Sequence, residues 1–472
     1  MFIIMVVVFV LGYLAIALEH PLRVDKAVPA LMIGSLMWVL YIFGAFDIFT
    51  AGLSEAWNSF IHNDHGHADH GIEGMRHFIV HNEIIHHLGE ISEILFFLFG
   101  AMTIVEVIDK HDGFKIITDR IQTTKKVKLL WILSVLTFFM SAALDNLTTT
   151  IVMVALLRKL MKDQETKWFF ASMVVLAANA GGAWSPIGDV TTIMLWIGGQ
   201  VSTASIITHV IFPSLVTMVV PLALLSFTMK GNVQRPEVDA NEKIYTTLFE
   251  RKLLLIMGVC GLLFVPVFKT VTHLPPYMGM LLSLSIIWMT TELIHARKSD
   301  EIKKKLKVIY IVKHVDTPTI FFFLGILSAV AALQSAGQLQ VLASWLDENL
   351  GSIYLIDLAI GVLSAIVDNV PLVAGAMGMY PIEDAASIAA LTDPEAIAYA
   401  QNFMQDGLFW EFLAYCAGTG GSILIIGSAA GVAAMGMERI DFIWYMKRIS
   451  LLALLGYLAG AGAYYLQVQL LY

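Results

Sequence analysis

Apolar runs of about 18 to 30 residues follow one another along this sequence almost to its last residue, separated by short polar stretches. About 20 apolar residues let a helix cross a hydrocarbon core of roughly 30 Å. In lipid, backbone groups must be satisfied within the segment, and for runs of this kind that means helices. A chain so patterned can fold as a polytopic helical membrane protein and as little else. Its 472 residues are 58% hydrophobic and 14% charged, whereas soluble domains are about half apolar and about a quarter charged. Disordered, secreted and nucleic-acid-binding classes are excluded. The formal charge of −9 is carried in the loops, so its placement matters more than its sum. Cys260 and Cys416 both fall in apolar segments, which argues against a disulfide framework or a cysteine-rich metal site. Both are expected to pack inertly.

The expected spans are 2–18, 28–46, 91–108, 168–198, 204–228, 253–270, 277–296, 318–335, 410–437 and 449–471. Segment 2–18 has no Lys or Arg ahead of it and no small-residue cleavage site behind it, so it reads as the first span rather than a targeting peptide. Two apolar stretches remain, 129–157 and 352–382, and the placement of Lys and Arg on the cytoplasmic side decides their course. Lys125, Lys126 and Lys128 precede the first and Arg158, Lys159 and Lys162 follow it, so both ends belong inside. Twenty-nine residues in one helix would reach about 43 Å; folded back at the middle, they make two legs of roughly 20 Å. A re-entrant hairpin is expected. The second stretch lies between Asp347, Glu348 and Glu383, Asp384, and no Lys or Arg occurs between Lys313 and Arg439, so it should enter from outside. This scheme puts all 29 Lys and Arg except Arg76 and Lys269 on the cytoplasmic side.

The halves resemble each other in order: Phe96-Phe97-Leu98-Phe99-Gly100 and Phe321-Phe322-Phe323-Leu324-Gly325; Ser141-Ala142-Ala143-Leu144-Asp145-Asn146 and Ser364-Ala365-Ile366-Val367-Asp368-Asn369; Gly181-Gly182 with Gly188 and Gly420-Gly421 with Gly427. This predicts a first repeat over 1–228, a cytoplasmic linker over 229–252 and a second, inverted repeat over 253–472. The expected fold is all-α: about ten transmembrane helices, two re-entrant hairpins and broken helices in inverted-topology repeats. That pattern is the signature of secondary transporters, whose site lies near the midplane between the repeats. No Gly-x-x-x-x-Gly-Lys-[Ser/Thr] run is present, so an ion gradient is the expected energy source.

The hairpin midpoints fall near 143 and 367, which puts Asp145-Asn146 and Asp368-Asn369 at the tips. A carboxylate near the bilayer centre costs about 2.5–3.5 kcal/mol on insertion scales and is retained with partners or for function. After each hairpin a glycine-interrupted segment should unwind: Asn179 to Asp189 around Pro186, and Gly418 to Ser422. Such breaks free carbonyl oxygens and helix ends for an ion, and oxygen ligands suit a small hard cation. Asp145, Asn146, Asn179, Ser185, Asp189, Thr191 and Thr192 supply them in the first half; Asp368, Asn369, Thr419, Ser422 and Ser428 in the second. Because Ser428 stands where Asp189 does, the main cation site is expected nearer Asp145 and Asp189. Cation and proton should compete for these carboxylates.

Eight of the 14 histidines lie between His62 and His87, in a loop (50–90) expected to face outward. A solvated loop is the plainer reading, a zinc or nickel site the alternative. The run from His81 to His86 is not His-Glu-x-x-His, so protease chemistry has no support and no enzyme activity is expected. Glu90 and Glu93, beside this loop, are candidates for pH sensing. Glu106 and Glu292 are expected to reach an interface or pair with neighbours.

With these motifs the chain resembles the NhaD-type sodium/proton antiporters, within an ion transporter superfamily shared with dicarboxylate and arsenite carriers. The resemblance rests on the Ser-Ala-x-x-Asp-Asn hairpins and on Ala178-Asn179-Ala180-Gly181-Gly182-Ala183-Trp184-Ser185-Pro186-Ile187-Gly188-Asp189, and it spans nearly the whole chain. It implies exchange of Na+ or Li+ for H+ across the inner membrane, a homodimer whose hairpins and broken helices move against a scaffold, and no cofactor. It also implies that Ser141, Asp145, Asn146, Asn179, Asp189, Thr191 and Thr192, with Ser364, Asp368 and Asn369, carry the transport. The runner-up is a dicarboxylate or oxyanion carrier of the same fold. Anion carriers of this architecture resemble one another in neutral Ser-Asn-Thr tips, whereas Asp-Asn would repel an anion.

Overall fold

The computed structural model describes residues 1–17, 19–63, 71–118, 120–234 and 245–471. In chain order the principal helices are α1 (Phe2–Ala17), α2 (Ala27–Thr50), α3 (Ile85–Lys110), α4 (Lys126–Leu144), α5 (Asn146–Leu160), α6 (Gln164–Ala183), α7 (Val190–Ile197), α8 (Thr203–Thr228), α9 (Leu248–Thr272), α10 (Pro276–His295), α11 (Thr317–Ser335), α12 (Ile353–Leu363), α13 (Asn369–Met379), α14 (Leu408–Gly420), α15 (Ala429–Glu438) and α16 (Ser450–Leu471). Among the described residues there is no strand, and eight helical stretches are long and apolar enough to cross a membrane. Large apolar side chains face outward, among them Phe43, Phe227 and Val271, which are 66%, 81% and 73% exposed. Water would not tolerate so many; lipid is their solvent. The chain is an all-α polytopic membrane protein.

Helix starts follow local chemistry. Asp163 caps α6 through Thr166 N, Ser202 caps α8 through Ser205 N, and Thr247 with Glu250 forms a capping box on α9. Three expectations change. The leg expected from 129 begins at Lys126, whose Nζ donates to Thr166 Oγ1 at 2.9 Å, so α4 has 19 residues and rises about 28 Å rather than roughly 20 Å. The loop expected over 50–90 is helical over Glu55–Asn63 and again from Ile72, where a π-helical turn (Ile79–Ile84) feeds α3. Cys416 is buried as expected, but Cys260 is exposed, because α9 turns much of its apolar surface outward. Residues 64–70 of the histidine loop and 235–244 of the linker lie outside the described residues.

The described chain divides into two compact units, each drawing on both sides of the linker. The first comprises Met1–Phe96, Asp316–Ile356 and Val370–Ile382. Here α2 meets α11 backbone to backbone: a Cβ on Gly34 would lie 2.5 Å from the Gly325 carbonyl oxygen, the close approach that small residues allow in membranes. Trp38 Nε1 donates to Ser328 Oγ across this seam at 3.0 Å.

The second unit comprises Phe97–Val315, Asp357–Asn369 and Glu383–Tyr472. Its centre is made of α6, buried at every position from Phe170 to Ala183, and α14, buried from Phe409 to Gly420. A helix that is apolar or small all round belongs inside. Beside them, Gly456 and Gly460 of α16 lie against Thr217 and Pro213 of α8, and Tyr415 Oη lies 2.6 Å from Thr217 Oγ1 and donates to Tyr457 O at 2.6 Å.

Candidate cation site

The site begins where α4 becomes α5 with one residue between them. Asp145 has φ 81° and ψ 158°, a region nearly reserved for glycine that costs about 1–3 kcal/mol for other residues and persists only where the surroundings enforce it. Its amide donates to Ser141 O, closing α4, and its carboxylate accepts from Thr148 N and Thr148 Oγ1, both at 2.8 Å, opening α5.

The second aspartate arises in the same way. Helix α6 ends at Ala183, the chain turns through Trp184–Gly188 with Pro186 at its centre, and Asp189 opens α7 by accepting from Thr191 N and Thr191 Oγ1 at 3.0 Å. Ser185 Oγ anchors the break by donating to Ala142 O, and Thr192 Oγ1 donates to Asp189 O. Both carboxylates therefore sit at helix N-termini, where backbone N–H groups and the helix dipole favour negative charge.

Close backbone contact holds the two breaks against α4 and α12. A Cβ on Gly181 would lie 2.1 Å from Phe138 O, and one on Gly420 would lie 2.0 Å from Gly361 O. Ser141 Oγ donates to Ala178 O at 2.6 Å, while Ser364 Oγ donates to Gly361 O at 2.8 Å and to Ala417 O at 3.4 Å. The same contacts thus recur with different residues. Gly181→Ala should cost about 1–3 kcal/mol through overpacking against a carbonyl that cannot move aside. The check is the thermal midpoint in detergent, and an unchanged midpoint would contradict the close contact.

A chain of polar side chains joins the elements. Asn146 Nδ2 donates to Asp189 Oδ2 at 2.5 Å and to Asn179 Oδ1 at 3.1 Å, and Asn179 Nδ2 donates to Ser422 Oγ at 2.9 Å and Ser428 Oγ at 2.8 Å. Ser428 caps α15 as Asp189 caps α7. All members are buried, with Asn179 fully so. Asp145 and Asp368 are both near enough to Asp189 to act on it electrostatically. Asn369 Nδ2 donates to Ala417 O at 3.4 Å, and Thr419 Oγ1 is occupied by Tyr415 O.

All fourteen expected binding and supporting residues thus fall in the second unit. Glu90 and Glu93 belong to the first, where exposed Glu90 pairs with His86 and His87 at 3.3 Å. Glu106 pairs with Lys110 and Glu292 with Lys307. Lys269, one of two cations expected outside, donates to Trp196 O and covers the C-terminus of α7. Among the described residues no group of three or more His, Cys, Asp or Glu could hold a metal.

The junctions between α4 and α5 and between α12 and α13 differ. In the second, α12 stops at Leu363 and five residues of turn precede Asn369, whereas the first has Asp145 alone. Three residues went unrecognised in the sequence: Thr148, which holds Asp145, and Thr149 and Thr150, whose fully buried hydroxyls make no hydrogen bond among the described residues. The signal was the Thr-Thr-Thr run after Asp145-Asn146-Leu147, where the second tip has Pro371-Leu372-Val373.

Compared with known proteins, residues 1–401 match the citrate transporter (CitMHS) family. The chain is 45% identical to sodium/proton antiporter 1 of Arabidopsis thaliana over 98% of its own length and 71% of that protein's. It is 46% identical to sodium/proton antiporter 2 of the same plant over 82% of its length and 88% of the relative's. It is 28% identical to the Na(+)/H(+) antiporter NhaD of Alkalimonas amylolytica over 97% of its length and 89% of the relative's.

Proposed function

The chain belongs to the citrate transporter family, a family of transporters rather than enzymes, and from that premise we propose that it exchanges Na+ or Li+ for H+. The observation that carries the reading is the Asn146 amide bridging Asp189 and Asn179, with Asp145 and Asp368 within electrostatic reach of Asp189. Buried Asp189, with half-buried Asp145 and Asp368 acting on it electrostatically, repels citrate or another polyanion and attracts a cation, which favours cation exchange over the anion transport for which the family is named. The names of the plant and bacterial relatives support Na+ and H+ as the exchanged ions.

In this reading Na+ or Li+ binds among Asp145, Asp189 and Asn146, with the Thr149 and Thr150 hydroxyls as further oxygen ligands, and a proton takes its place on a carboxylate. The second hairpin, with its looser tip and with Ser428 in place of an aspartate, supports the site from the other repeat. The two hairpins enter the bilayer from opposite sides as inverted repeats, the protein works as a homodimer in the inner membrane, and the histidine loop faces the periplasm.

The experiment is dequenching of a trapped pH dye in proteoliposomes holding an acid-inside pH gradient, with each salt added in turn. Sodium and lithium chloride should collapse the gradient, while choline chloride and choline citrate should not. Collapse by choline citrate with no response to sodium chloride would replace this reading with citrate transport.

A further inference from the structure

We propose that the second unit carries a binding site for one anionic phospholipid at the N-terminal end of α4, its phosphate held by Arg120 and Lys128 and one acyl chain lying along Ile132 and Leu136. A cavity of about 540 Å³ opens there, walled by Ile117 and Ile121 on one side and by α4 on the other. Its chemistry is graded. Of its lining, Arg120 and Lys128 are exposed, Ile132 and Leu136 are half-buried, and among the described residues no carboxylate lies on its wall.

The gradient follows from helix geometry. Residues 128, 132 and 136 lie at i, i+4 and i+8, on one face of α4. At 1.5 Å per residue, the apolar wall extends about 12 Å from the Lys128 level into a helix that is itself long and apolar enough to cross the membrane. A free inorganic anion would find the charges but gain nothing from the slot. A lipid with an anionic headgroup matches both.

The opposite wall is held in place. Val233 N donates to Thr124 O at 2.8 Å and Lys126 N to Gly231 O at 3.0 Å, so the segment leading into α4 is clamped to the segment after α8. Lys126 itself is committed to Thr166. Lys128 belongs to the cationic cluster expected on the cytoplasmic side, and Arg120 is expected on the same side, where anionic lipids concentrate and each Lys or Arg near the surface adds to binding.

The test uses the full-length protein purified in detergent with dioleoyl-phosphatidylglycerol, dioleoyl-phosphatidylcholine or inorganic phosphate, read by native mass spectrometry. Wild type should retain one phosphatidylglycerol in preference to phosphatidylcholine. Arg120→Gln with Lys128→Gln should weaken retention by about tenfold or more while keeping the thermal midpoint. Ile132→Trp, which leaves both charges and fills the slot, should weaken it as well. Equal retention of the two lipids would overturn the proposal. Displacement by millimolar inorganic phosphate with no effect of Ile132→Trp would overturn it in favour of a simple anion site.

Discussion

Asp145→Asn and Asp189→Asn are each expected to reduce sodium-dependent proton exchange by at least about tenfold, roughly 1.4 kcal/mol, with little loss of folded protein. The two effects separate because asparagine caps a helix about as well as aspartate. In either variant the side-chain oxygen can still accept from Thr148 N or Thr191 N, so α5 and α7 keep their starts. What disappears is the charge. Asp368→Asn should likewise cost at least about tenfold, although its carboxylate stands at the end of a five-residue turn rather than at a one-residue junction. Asp189→Ala removes cap and charge together and should lower stability by a further ~1 kcal/mol. Initial exchange rates in proteoliposomes, set beside thermal midpoints of the same preparations, check both halves. Wild-type exchange in an asparagine variant would remove that residue from the mechanism.

How much of this was legible in the sequence depended on whether the signal was local. The break at Trp184–Gly188 could be read because Pro186 and the flanking glycines act on their own backbone. The junction at Asp145 could be read because charge flanks and segment length fix a midpoint. The difference between the junctions could not: Asp145 and Asp368 sit in nearly the same motif, yet α4 runs to Leu144 and α12 stops at Leu363. Asn179 was named only as an oxygen ligand. Its role in joining Asn146 to Ser422 and Ser428, more than 240 residues away, belongs to tertiary packing and has no periodicity to betray it. Cys260 was misjudged for a related reason, since an apolar segment does not reveal which of its faces meets lipid.

The second large effect concerns pH. Asp189 already shares its oxygens with Asn146 and Thr191, so a proton added there removes the negative charge a cation needs. An empty, doubly charged site should not cross the low-dielectric barrier, so only loaded forms reorient, and exchange follows without a separate coupling device. Raising the pH by one unit lowers the competing proton concentration tenfold. Below the pH at which the site loses its proton, the apparent KM for sodium should therefore fall about tenfold per unit for one competing proton, and above it the constant should level off. A sensor distant from the site would instead alter the maximal rate. The deciding measurement is the apparent KM for sodium in proteoliposomes, taken from initial rates at half-unit pH steps. Competition at the aspartates predicts a limb falling about tenfold per unit and then a plateau, and a KM that stays flat while the maximal rate changes with pH would contradict it.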